Sequence, residues 1–409
     1  MFEQLSDVFE SAAFKYLSVV DADSARSNQH EIGGLPKAGF GRKLGMPDNG
    51  SQKLLNATMV YLDERESVPV VIEDTVTWYD ARYQDNKRSP EWRLYYKSND
   101  VSNRFQPGDF FLIALANDGS VLMIFCPCES EYEYQIRTLF GARQQLANKK
   151  GLTKVSLIDS QISVPIRLMF ARYGIEIGQA GDHYLQRIIE RFGVVFPNTR
   201  EFSNFARSVA TEVCPVECPD AALIEWMETE ESAFRQLERH IVQEKLKVGF
   251  GENGDDVDEF VRFSLSVQNR RKSRSGHAFE NHIEVILDKN HLGFKRGART
   301  EGKQKPDFLF PGTDSYQDHH FPEDKLRILG AKTTCKDRWR QVLAEADRIK
   351  HKHLISLEPA ISEAQTEEMR NKNLQLVIPE PIQATYQKSQ ISWLMSFKDF
   401  IDEVTCLQK

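Results

Sequence analysis

The sequence predicts two domains of different class: an N-terminal, mostly β barrel or sandwich, and a C-terminal α/β domain with a central mixed sheet flanked by helices. Three observations predict it. The chain has 409 residues, and single cores seldom grow past about 250–300. Its first part alternates short apolar β-like runs with turn residues, which is how small barrels and sandwiches read. Its second part runs through long amphipathic helical stretches and then short apolar strands separated by helices, the layering of an α/β domain. The expected division is residues 1–174, a connector over 175–190, and 191–409.

Taken in order, residues 1–17 read as an amphipathic helix with acidic residues and no basic leader, hence not a signal peptide. Strands are expected at 69–72, 76–79, 110–115 and 121–125, with Asn117-Asp118-Gly119 turning the last pair into a hairpin. The pattern loosens over 151–182, and 184–192 reads as a short helix, with the flexible connector ending before Phe196-Pro197. Helices are then expected at 201–211, 221–248, 255–270 and 276–290. In the last of these Phe279, Ile283, Ile286 and Leu287 form the buried stripe, and Glu280 flanks it more closely than Glu284. Strands at 308–310, 328–331, 353–356 and 374–378 build the mixed sheet, and 393–404 reads as a closing helix.

A composition of 40% hydrophobic and 28% charged residues is that of an ordinary soluble globular protein. No window approaches the roughly 20 apolar residues of a membrane span. Six cysteines in a chain this long do not make a disulfide framework, so a reducing cytoplasm is expected. Cys126/Cys128 and Cys214/Cys218 lack the spacing of a zinc ribbon or finger, and Pro127 and Pro215 fit turns as well. A net charge of −7 argues against indiscriminate affinity for DNA but leaves room for local basic patches. Two stand out. Residues 82–97 carry Arg82, Lys87, Arg88, Arg93 and Lys97 against Asp85 and Glu91, and residues 270–274 carry Arg270, Arg271, Lys272 and Arg274. Either patch is as readily a solvated face.

The chemistry-bearing constellation lies between 305 and 350. Asp307 precedes the strand at 308–310, and Lys332 follows the strand ending at Ala331. A helix is expected next, with Trp339, Val342, Leu343, Ala346 and Ile349 on its buried stripe and Glu345 at the border, turned back toward Lys332. Two carboxylates and a lysine at adjacent strand and helix ends suit metal-assisted cleavage of a phosphodiester. Carboxylate oxygens hold a hard divalent cation, the cation activates water and offsets phosphate charge, and the lysine steadies the water or the developing oxyanion. On pattern alone, a structural Lys–Glu pair explains the same residues.

Longer runs carry a resemblance. SVQNRRKSRSG from Ser266, EGKQKPDFLFP from Glu301 and AKTTCKDRWRQVLAEAD from Ala331 resemble, in order, the catalytic domain of EcoRII-type (type IIE) restriction endonucleases. These are PD-(D/E)XK nucleases of the branch whose last acid has moved from the strand to the following helix. The resemblance implies a restriction-endonuclease-like fold. It also implies Glu280, Asp307, Lys332 and Glu345 as catalytic residues, and Mg2+ held by Asp307 and Glu345. Arg270, Arg271, Lys272 and Arg274, read as a loop between two helices, become a phosphate clamp. Lys336, Asp337 and Arg338 become readers of C/G pairs in the major groove, while Trp339 is expected in the core.

In the first half, FQPGDFFLI from Phe105 resembles a phrase of the B-three DNA-binding pseudobarrel, the effector fold of the same family. There Arg88-Ser-Pro-Glu91-Trp92-Arg93 matches one base-reading loop, and Gln29-His30-Glu31-Ile32-Gly33 lies where the other belongs. This implies DNA contacts from His30, Arg82, Lys87, Arg88, Glu91 and Arg93; surface ion pairs are the alternative. The whole resemblance implies a bacterial, cytoplasmic homodimer, joined through its catalytic domains. It would cut double-stranded DNA at a palindrome, CCWGG before the first C, with CCNGG open at the central pair. A second site copy would be bound as allosteric effector by the N-terminal domain, and a cognate DNA methyltransferase would be its functional partner. A modification-dependent nuclease and a non-catalytic DNA-binding protein are the other readings.

Overall fold

A computed structural model describes residues 5–22, 30–45, 47, 50–66, 69–84, 88–143, 145–147, 151–155, 157, 184–210, 213–301, 304–335 and 338–409, the side chain of Lys272 excepted. The chain divides into two compact units, Met1–Gly178 and Gln179–Lys409. Among the described residues no helix is long and apolar enough to cross a membrane.

The first unit is built on eight strands: β1 (Phe9–Tyr16), β2 (Glu31–Gly33), β3 (Lys53–Tyr61), β4 (Val70–Asp80), β5 (Trp92–Tyr95), β6 (Phe110–Ala116), β7 (Val121–Cys126) and β8 (Thr153–Val155). They lie in the order β2-β5-β4-β3-β7-β6-β1-β8. The helix expected at the N-terminus is instead a 3-10 turn at Leu5–Asp7 followed by β1. The reason is burial on both faces. Phe9, Ala12 and Phe14 enter one apolar cluster, Ala13 enters a second, and β1 pairs on either side with β6 and β8. A strand buried on both faces lacks a clean apolar–polar alternation, and its apolar residues fit a helical period as readily as a strand.

The hairpin between β6 and β7 closes as expected, with Ala116 N bonded to Ser120 O at 2.8 Å. Gly119 stands at φ +85°, a conformation that side-chain-bearing residues avoid. Helix α1 (Glu131–Leu139), capped by Ser130, lays Ile136 and Leu139 on the first cluster, whereas Trp78, Phe111 and Phe125 fill the second.

The second unit opens with helices α2 (Leu185–Phe192), α3 (Thr199–Val209), α4 (Pro219–Val248) and α5 (Val257–Lys289). Ile188 of α2 is fully buried with Phe202, Phe205 and Phe234. The part of the expected 175–190 connector from Leu185 onward is therefore packed helix. The two helices expected at 255–270 and 276–290 are one unbroken helix of 33 residues, α5, so the basic run 270–274 is not a loop. No proline interrupts it, Gly276 has open space around its Cα, and the charge that suggested a loop is taken up by acids of α4.

Strands β9 (Lys295–Arg296), β10 (Phe308–Phe310) and β11 (Arg327–Ala331) follow. Next come helix α6 (Trp339–Leu343), strand β12 (Lys352–Ile355), helix α7 (Glu363–Asn371), strand β13 (Leu374–Val377) and helix α8 (Phe397–Gln408). The sheet order is β13-β12-β11-β10-β9, parallel across β11, β12 and β13 and antiparallel across β9, β10 and β11. This is the mixed α/β sheet expected.

Phe279, Ile283, Ile286 and Leu287 of α5 are all fully buried. At the start of α4 the buried Asp220 carboxylate accepts the amides of Glu380, Phe397 and Lys398 at 3.1, 2.8 and 2.9 Å, tying the closing helix to the bundle.

Candidate active site

Antiparallel pairing of β10 with β11 sets Phe308 opposite Leu329. It brings Asp307, just before β10, to the end of β11. There Asp307 Oδ2 accepts from Ala331 N at 2.7 Å and from Lys332 Nζ at 2.7 Å. The lysine, itself past the strand, is anchored by Lys332 N to Ile355 O at 3.1 Å. Pairing of two strands thus converts a separation of 25 residues into an ion pair.

Glu345 arrives from the other side. Helix α6 packs on β11 so closely that a Cβ on Gly330 would lie 2.6 Å from Val342 Cγ2, which only glycine permits. The expected helix stops at Leu343, so Glu345 sits on the turn beyond it, and Ala346 follows at φ +52°.

Burial first, and then the charge of Asp307, push the Glu345 carboxyl up to about 7, against the opposing pull of Lys332 and Lys352. Its Oε2 is buried without a hydrogen-bond partner among the described residues. A buried carboxylate that feels the charge of another, with one oxygen unsatisfied, calls for a proton or a cation. The donor set is all oxygen and therefore fits a hard divalent ion such as Mg2+, which keeps several waters. No cluster of three His, Cys, Asp or Glu is assembled among the described residues.

Glu280 is not bonded to this trio. It pairs instead with Arg296, whose Nη2 and Nε lie 2.9 and 3.2 Å from Glu280 Oε2. Arg296 also reaches Asn281 at 2.8 Å and Glu284 at 2.7 Å. It sits opposite Phe308, while Gly297 N bonds Asp307 O at 3.0 Å, so the arginine connects the acids of α5 to the strand beside Asp307.

Two residues here escape a reading of the sequence, Arg296 and the buried Lys352. Neither belongs to a recognisable motif; both work through bonds that only folding reveals.

The remaining candidates divide. Arg271 is committed to Glu238, with Nε 2.7 and 2.8 Å from its two oxygens. Arg274 is 6% exposed, pairs with Glu230 at 3.1 Å and with Glu231, and covers the Phe234 ring. Both hold α5 on α4 through these ion pairs, the structural alternative to a phosphate clamp. Arg270 is exposed above the ring of Phe196. Arg338 is exposed at the start of α6, and Trp339 is buried as expected. Lys336 and Asp337, and the side chain of Lys272, lie outside the described residues.

In the first unit Arg82 pairs with Glu91 at 2.5 Å, and Arg93 bridges Glu91 at 2.8 Å and Glu31, to which Tyr79 also donates. These side chains thus form the ion-pair lattice that is the alternative to base reading. His30 is half-buried against Tyr96, Arg88 is exposed just before β5, and Lys87 lies outside the described residues.

Residues 234–401 match the family described as EcoRII C terminal. The type II restriction enzyme EcoRII of Escherichia coli is 39% identical over 235 residues, which are 57% of this chain and 57% of that protein. The match spans little more than half of that relative's length. Two solved structures show looser likenesses. Metal-depleted Ecl18kI in complex with uncleaved, modified DNA aligns with a TM-score of 0.45 at 18% identity, over 56% of this chain and 84% of that one. The PspGI restriction endonuclease–substrate DNA complex aligns with 0.42 at 15% identity, over 52% and 93%.

Proposed function

We propose, from the premise that residues 234–401 form an EcoRII-type catalytic domain, that this chain is a type II, IIE-like restriction endonuclease. It hydrolyses both strands of double-stranded DNA at a short palindrome, CCWGG, in the cytoplasm of a bacterium that also carries the cognate DNA methyltransferase. The observation that carries the reading is the convergence of Asp307, Lys332 and the orphaned Glu345 oxygen at the ends of β10, β11 and α6.

Asp307 and Glu345 would hold Mg2+, which when bound supplies a Lewis acid for the phosphate and an acidified water. Lys332, fixed by its bond to Asp307, orients the attacking water and donates to the phosphoryl oxygen as its charge grows. Glu280, held by Arg296, contributes negative charge at the α5 side of the same site. Arg338, with Lys336, donates to guanine, and Asp337 accepts from cytosine. A palindromic target is matched by a homodimer through the catalytic domains. The N-terminal unit binds a second site copy as effector, with Arg82, Arg88 and Arg93 among its contacts; Arg82 and Arg93 exchange carboxylate partners for DNA on binding.

Incubation of the full chain with unmethylated plasmid and Mg2+ tests this. Site-specific ends are expected, lost on chelation. Lys332→Ala is expected to bind the same duplex and to cut at least about 10²-fold more slowly. Normal cutting by that variant would sink the assignment, and cutting of methylated DNA alone would give the modification-dependent reading instead.

A further inference from the structure

We propose that Lys352 is the positioning residue for Glu345, holding the backbone from which that carboxylate reaches the cation. The inference rests on the reading of Asp307 and Glu345 as a cation site. Glu345 stands on no regular element. Helix α6 ends two residues before it, and Ala346 after it occupies the left-handed region at φ +52°. A turn that includes such a residue keeps its shape only if its surroundings over-determine it.

Lys352 supplies that restraint. It opens β12, where it is paired with Leu374 of β13, and the next residue, His353, is paired with both β11 and β13, so its Cα is anchored on the sheet. The residue is only 7% exposed. Its Nζ donates to Leu343 O at 2.7 Å and to Glu345 O. These are carbonyls at the C-terminal end of α6, where a helix leaves its acceptors unsatisfied and favours a cation. On its other face α6 is pressed against Gly330 of β11.

The turn is therefore clamped through its main chain, and the Glu345 carboxylate is placed without spending its own oxygens. One of them, Oε2, is left buried and unbonded among the described residues. A side chain held by its own hydrogen bonds would be occupied; one held by its backbone stays available. Lys352 does not itself touch the phosphate in this reading, because its ammonium is turned into the protein and engaged with carbonyls.

The test is a titration of Mn2+ into the full chain without DNA, followed by water-proton relaxation, with folding of each variant checked by thermal melting. Glu345→Gln is expected to lose most of the affinity. Lys352→Met, which keeps the stem and removes the donors, is expected to lose about tenfold, the scale of supporting-residue losses around metal ligands, while melting above the assay temperature. If Lys352→Met does not fold there, Lys352→Gln, whose shorter side chain lacks the reach of the lysine to both carbonyls, is judged by the same criterion. Unchanged Mn2+ affinity in the folded Lys352 variant, with affinity lost in Glu345→Gln, overturns the role of Lys352 and leaves the cation site standing. Unchanged affinity in Glu345→Gln overturns the cation site, and the role of Lys352 with it.

Discussion

His353, on the inner strand β12, is 3% exposed, and burial depresses its pKa to about 4 from an ordinary 6.5, the charge of Glu403 only partly opposing. The folded chain keeps the ring neutral down to about pH 4, whereas the unfolded chain takes up a proton below about 6.5. Stability is therefore fully present above pH 6.5 and falls as the pH drops from there toward 4, by up to about 3 kcal/mol from this residue alone. Denaturant titrations at pH 7 and pH 5 should show a smaller loss in His353→Leu than in the parent; equal losses would contradict a buried neutral imidazole. Such a residue is legible in the sequence only as part of an apolar run, because burial depends on neighbours that arrive from β11 and β13.

Elements show where periodicity suffices and where it fails. The stripe Phe279, Ile283, Ile286 and Leu287 and the strands of the second sheet are readable, because each has one buried face or a short apolar run bounded by turns. β1 is not, since burial on both faces erases the alternation. Nor is the middle of α5, because Arg271 and Arg274 find their counter-charges on α4, 33 and 44 positions away. That pairing makes a prediction about the two helices. Arg274→Met leaves Glu230, fully buried, without its guanidinium, and should cost about 3–5 kcal/mol in urea unfolding. The salt dependence of DNA binding should stay as it was. A clamp would instead reduce the log–log slope by about 0.9 for each phosphate no longer neutralised, with stability unchanged. In α6 the sequence places the right residues on a helix that is too long: Glu345 reaches the site from a turn whose shape is fixed by Lys352 and Gly330, partners no local pattern announces.

At the scale of the molecule, net charge −7 leaves the proposed DNA recognition to a few placed cations rather than to a general attraction. The Asp307–Lys332–Glu345 site is legible because its motif residues keep their order and spacing relative to the strands. The proposed base-reading surface of the first unit is legible only as a cluster of charges, which the fold ties largely to one another. The effector proposal is tested there. Arg88→Ala in the full chain should weaken activation by an added CCWGG duplex about tenfold or more, a loss of about 1–3 kcal/mol for one base contact, while Mg2+-dependent cutting persists. Undiminished activation would remove Arg88 from that surface. In the second unit the uninterrupted α5 extends for about 50 Å at 1.5 Å per residue, with Val257 near one end and Glu280 about 35 Å along it. Rods of this kind curve only gently, so a sideways load at the Val257 tip is delivered as tilt to the acid near the other end. That acid is bonded to Arg296, which faces Phe308 across the sheet, so such a tilt would pass to the strand that follows Asp307.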